Sequence, residues 1–170
     1  MTEIDSFSLA STVDAGRVRE ISRPLPLREA VVKRIIARII GEPFVGKDWG
    51  GERDDLFTTR VVLSGRSTPT SLILKGPGHK GPLTLAALGK AGDQLERMTH
   101  QPADLFVIQH CDEVKPAVRM HLTHFIRSLR SSSNPRAIGS IWDGSDCARL
   151  FLAHGFIDPK TGQEVAGWDG

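Results

Sequence analysis

Residues 55–75 read DLFTTRVVLSGRSTPTSLILK, and this stretch decides the fold. Residues 55–63 alternate and are rich in β-formers, which predicts a strand. Ser64-Gly65-Arg66-Ser67 predicts a turn. TSLILK at 70–75 predicts a second strand, and its apolar run implies burial on both faces. The two strands are expected to pair as a hairpin. The start of the first then lies beside the end of the second, which makes Asp54 and Asp55 neighbours of Lys75.

Working outward, residues 28–40 (REAVVKRIIARII) place Val32, Ile35, Ile36 and Ile39 on one helical face. Lys33, Arg34 and Arg38 fall on other faces, and Gly41 and Pro43 stop the helix. Residues 44–54 read as loop. On the other side, the stretch from Gly76 to Pro82 is a sharp loop, and a helix is expected over 83–99, weakened by Gly89 and Gly92. ADLFVIQH at 103–110 is the strongest buried strand. Val118, Leu122, Phe125, Ile126 and Leu129 mark a helix over 115–130. A last strand follows at 136–142, and then a short helix from Ser145 to His154 with Ser145 as its N-cap. A hairpin followed by two αβ units predicts an α/β fold, a mixed sheet with helices on both faces. Residues 1–26 read as a polar arm or a short leading strand, 27–158 as the domain, and 159–170 as a tail.

A chain of 170 residues is long enough for one real core. No apolar run approaches the roughly 18 residues of a membrane span, and the start lacks a basic-then-apolar secretory pattern. A cytoplasmic protein with no membrane partner is the expectation. Cys111 and Cys147 fit no metal spacing and read as free buried thiols. A net charge of +2 says little about partners, but its distribution says more. Lys115 to Arg136 holds five basic residues and no acid, a stripe able to meet phosphates or simply to face water.

The chemistry-bearing residues cluster at the predicted strand ends. A carboxylate at a strand start suits a hard cation such as Mg²⁺, and a lysine alongside can hold a phosphate or favour a hydroxide nucleophile. A plain ion pair is the competing reading of Asp55 and Lys75. Glu29, in the first turn of its helix, reads either as a further metal ligand or as a carboxylate favoured by the helix dipole. Gln109 and His110 end the buried strand, with hydrogen bonds to backbone or water expected for the glutamine. His121 and His124 are three apart with no third ligand, which does not make a zinc pair. The glycine-rich run at 76–81 lacks P-loop spacing, and no Gly-x-Ser-x-Gly elbow exists.

Three pieces, in order, carry a family resemblance. One is the Glu29 helix, followed by Gly50-Gly51-Glu52-Arg53-Asp54-Asp55. Another is Leu72-Ile73-Leu74-Lys75. The third is Ser140-Ile141-Trp142-Asp143-Gly144 leading into a Leu/Ala helix that ends near Gly155. The pattern resembles the Mrr-type restriction endonucleases within the PD-(D/E)XK nuclease superfamily. The resemblance implies a restriction-endonuclease-like fold, a DNA substrate and phosphodiester hydrolysis dependent on Mg²⁺ or Mn²⁺. It implies Asp55 as the metal-binding acid with Asp54 as its rival, Glu29 as the helix glutamate and Lys75 as the catalytic lysine. Apart from the resemblance, His79 and Lys80 in the loop after Lys75 read either as DNA-backbone contacts or as idle loop residues, and Arg119, Arg127 and Arg130 of the basic stripe are further nucleic-acid candidates. Homodimers or larger assemblies are implied as well.

One residue departs from the pattern. The family has Glu, Asp or Gln two places before the lysine, and this chain has Ile73, which offers no donor or acceptor. Either Glu29 or Glu52 substitutes, or the domain binds without cutting. Three functions follow: a metal-dependent DNA nuclease in genome defence or DNA processing, a non-catalytic module binding nucleic acid or a protein, and a small structural subunit.

Overall fold

The computed structural model describes residues 4–21, 23–43, 55–76, 81–89, 93–98 and 100–168. Its elements are a 3-10 helix Asp5–Thr12, α1 Ala15–Arg19, α2 Glu29–Ile40, β1 Leu56–Thr58, β2 Val62–Leu63, β3 Arg66–Ser67 and β4 Thr70–Lys75. There follow a second 3-10 helix Leu85–Leu88, α3 Asp93–Met98, β5 Leu105–His110, α4 Pro116–Ser132, β6 Ile138–Trp142 and α5 Gly144–Ala153. A four-stranded mixed sheet runs in the order β1-β4-β5-β6. β1 is antiparallel to β4, and the remaining pairs are parallel.

Successive strand residues point to opposite faces of a sheet, and here each face has its own apolar layer. Leu72, Leu74, Leu105 and Val107 pack with Val32, Ile35 and Ile36 of α2 and with Leu150 and Phe151 of α5. Ile73, Phe106 and Ile108 pack with Val118, Leu122 and Ile126 of α4 and with Leu95 and Met98 of α3. The two central strands are therefore buried on both sides, as their continuous apolar runs predict. Both cysteines are free and buried.

Several expectations are corrected. The strand at 55–63 is broken in two. The Thr58 hydroxyl accepts the amide of Arg60 at 3.1 Å, which diverts the chain after β1. β2 and β3 then form a separate two-stranded ribbon. Its turn is Ser64-Gly65, both at positive φ (51° and 73°), as a tight hairpin of matching twist requires. β1 still pairs with β4 in the predicted antiparallel sense, Leu56 opposite Leu72.

The helix at 83–99 shrinks to the 3-10 turn Leu85–Leu88 and α3. Gly89 sits between them at φ 88°, where a Cβ would strike the Asp93 carboxylate. The expected leading arm is packed rather than extended. Phe7, Val18, Ile21 and Leu25 join the α2 layer, and Asp5 and Ser6 accept the amides of Gly65 and Val62 on the ribbon. The tail is docked too, with Trp168 edge-on to Phe156 and beneath the Arg34 guanidinium.

The N-cap of α5 is Asp143, not Ser145. Asp143 accepts the amides of Ser145 and Asp146, and the Asp146 carboxylate reaches back to the Asp143 amide. This reciprocal pairing satisfies donors that would otherwise be orphaned. Asp143→Ala is expected to cost about 1 kcal/mol, read as a lower denaturant midpoint at unchanged slope. Among the described residues no helix is long and apolar enough to cross a membrane.

Candidate functional site

The C-terminal end of β4 is where α2, β1 and β4 meet. Asp55 stands just before β1, and its Oδ2 accepts the Leu74 amide at 2.6 Å. Glu29 opens α2 and reaches around the strand end, its Oε2 accepting the Gly76 amide at 3.3 Å. Lys75 lies between those two amides in sequence and is half-buried. The three residues picked out in the sequence, Glu29, Asp55 and Lys75, are thus brought together from three elements. Asp54, His79, Lys80 and Glu52 lie outside the described residues.

The electrostatics bind the group further. Burial pushes the Asp55 carboxyl above the usual carboxylate range, and the nearby Glu29 charge adds to the rise. The Leu74 amide, Lys75 and Lys33 pull the other way. Lys33, read from the sequence as lying off the apolar stripe, is nevertheless buried. It is 4% exposed, one turn along α2 from Glu29. Its charge is the fourth in the cluster. A lysine in an amphipathic helix carries no sequence signal of burial, because its long stem can bury while its head finds a partner.

Two details favour an open site over a closed ion pair. Among the described residues the Lys75 amine makes no ion pair and no hydrogen bond, although Asp55 feels its charge. Asp55 and Glu29 each commit one oxygen to a strand-end amide, and no described residue donates to Asp55 Oδ1 or Glu29 Oε1. Neither oxygen is among the buried unpartnered atoms. The donor set is therefore two carboxylates with a free oxygen each. It fits Mg²⁺, which is commonly held through one or two carboxylates with waters and substrate phosphate completing its shell. No group of three or more His, Cys, Asp and Glu suited to a metal occurs among the described residues.

The close approach depends on Gly76. A Cβ there would lie 2.7 Å from the Glu29 amide nitrogen and 3.1 Å from its Cα, both backbone. Gly76→Ala is expected to push the start of α2 away at a cost of about 1–3 kcal/mol, measurable as a lower melting temperature.

The neighbouring strand end is locked rather than reactive. His110 is fully buried opposite Lys75 in the register. Its Nδ1 is 3.1 Å from the Lys75 carbonyl and its Nε2 is 3.0 Å from the Gly81 carbonyl. Carbonyls only accept, so both contacts are hydrogen bonds together only when both nitrogens carry hydrogen. Among the described residues the Gln109 side chain meets sulfur rather than backbone. Its amide nitrogen approaches the Cys111 and Cys147 sulfurs at 3.7 and 3.4 Å, and its Oε1 has no hydrogen-bond partner among the described residues. Burial pushes the Cys111 thiol up to about 11 and the Cys147 thiol well above its ordinary value, so neither is a nucleophile at neutral pH.

The structure does not bring the basic residues to this cluster. Arg119, Arg127 and Arg130 lie along α4 and line a groove beside β6, the opposite edge of the sheet from β1. α4 also covers the opposite sheet face from α2. Ile73, where the resemblance asks for an acid, is 1% exposed within the α4 layer. No family model matches the chain, and no curated protein or solved structure matches it.

Proposed function

We propose that the chain is a metal-dependent DNA endonuclease of restriction-endonuclease-like fold, with its active site at the Glu29–Asp55–Lys75 strand end. The observation that carries this reading is the convergence of two carboxylates and a lysine which, among the described residues, leave one oxygen on each acid and the amine without a partner. Glu29 and Asp55 are the residues that would hold Mg²⁺ or Mn²⁺. A cation held there supplies charge neutralisation at the scissile phosphate and an acidified water. The chain's own parts do the rest. The amides of Leu74 and Gly76 fix the two carboxylates. Lys33 offsets their mutual repulsion. Lys75 pairs with a phosphate oxygen and stabilises the charge that develops there as the bond to the leaving oxygen breaks.

The burial of Ile73 in an apolar layer supports a second reading, in which the same strand end binds a nucleic-acid phosphate without cutting. One experiment separates them. The protein is incubated with supercoiled plasmid and with single-stranded DNA in Mg²⁺ or Mn²⁺, beside Lys75→Ala and Asp55→Ala. Cleavage lost in both variants supports the nuclease. No cleavage but a salt-dependent gel shift supports the binding module. Neither cleavage nor a shift rejects both.

A further inference from the structure

The outer edge of β6 offers features that the strand-end cluster does not use. Its register leaves one side of the strand open. Ile138 donates to the Asp104 carbonyl, and in a parallel ladder this fixes the pattern. Ile138, Ser140 and Trp142 turn their amides and carbonyls toward β5, while Gly139 and Ile141 turn theirs outward. Among the described residues no strand pairs with that edge. An unpaired edge of this kind is a template for another strand.

The edge is also framed. On one side, α4 and β6 enclose a groove of about 500 Å³ lined by Arg119, Arg127 and Arg130. On the other, the first 3-10 helix and α5 enclose one of about 420 Å³ with Phe7 and Trp142 in its wall. Ile141 borders both grooves. Gly139 permits this frame, because a Cβ there would lie 2.9 Å from Ile126 and 3.1 Å from Leu122, within the α4 layer. A strand added at this edge would send alternate side chains into the two grooves.

We infer that the β6 edge docks an extended, acidic segment of a partner protein, which adds to the sheet as a fifth strand. Charge selects this occupant. Arg127 has no ion pair among the described residues, and Arg130 spends only its Nε on the Ala137 carbonyl. A second copy paired edge to edge by a two-fold axis would set these arginines against their own equivalents. A DNA backbone offers acceptors alone, and RNA hydroxyls do not repeat at strand period, so the outward carbonyls of Gly139 and Ile141 would stay unmatched. A polypeptide matches both donors and acceptors at strand period. This site is independent of the cleavage reading, since it lies on the other edge of the sheet.

The test is fluorescence anisotropy with the full chain and a labelled eight-residue peptide alternating glutamate and valine. Saturable binding is expected. It should weaken at least tenfold for the same peptide N-methylated at its four central residues, which blocks both strand edges. It should weaken at least tenfold for Arg127→Glu, an exposed helix position that leaves the fold intact. Ile141→Pro removes an outward amide together with the side chain that borders both grooves, and should weaken binding at least tenfold. Absence of saturable binding, equal binding of the N-methylated peptide, or full displacement by an oligothymidylate of equal length would overturn the inference.

Discussion

Asp55→Asn is expected to abolish cleavage and to stabilise the protein at once. The aspartate is held where burial raises its carboxyl above the usual range. The folded state then binds a proton more readily than the unfolded state does. Stability attributable to this group is present below the ordinary carboxylate range and is lost as pH rises through the raised one. Asparagine carries no charge, yet its carbonyl oxygen still accepts the Leu74 amide that Asp55 Oδ2 holds at 2.6 Å. At pH 7 the variant should be more stable by roughly 0.5–2 kcal/mol, a gain of the kind seen when a destabilised site residue is replaced. In a domain of this size that is a few degrees in melting temperature, about 2–4 °C per kcal/mol. The advantage should vanish near pH 3, where both states bind the proton. Cleavage should fall at least about 100-fold. Melting curves from pH 3 to 8, read beside plasmid nicking, check both halves. A variant that loses stability at neutral pH would show Asp55 to be a structural ion-pair residue.

Ile73→Glu is expected to cost on the order of 4 kcal/mol or more and to gain no cleavage. The resemblance to restriction endonucleases asks for an acid here, so restoring one looks like a repair. The packing says otherwise. Ile73 is 1% exposed, in the layer formed with Phe106, Ile108 and the apolar face of α4. A carboxylate there loses its water inside an apolar layer, a large penalty among single substitutions. Urea unfolding of the variant gives the cost directly. A stable Ile73→Glu protein that cuts faster would place position 73 in the site and require a different account of how the acids are arranged.

The parts of this molecule legible in its sequence are those with one strong cause. Thr70–Lys75 and Leu105–His110 carry the apolar runs 72–74 and 105–108 because both strands are buried on both faces. α2 is legible from its stripe and from Gly41, which ends it in the left-handed region at φ 69°. The nearness of Asp55 and Lys75 followed from hairpin geometry, while Glu29 joined them only through the family resemblance. The unread parts depend on contacts distant in sequence or on single atoms. The break after Thr58 comes from one hydroxyl. The packing of the first residues rests on Phe7, Val18 and Ile21, which are too widely spaced to show a period. Lys33 is buried by tertiary contacts that override its usual preference. The basic stripe was legible as charge, but only the sheet order shows that it lies across the molecule from the carboxylates.

The central claim is that Lys75 works with Glu29 and Asp55 on a phosphodiester. Single-turnover cleavage of an end-labelled DNA duplex in Mn²⁺, wild type beside Lys75→Ala at equal folded fraction, tests it most directly. Measurable wild-type cleavage is expected, with a rate at least about 100-fold lower in Lys75→Ala. Equal rates in the two proteins, or no cleavage by the wild type, would contradict it.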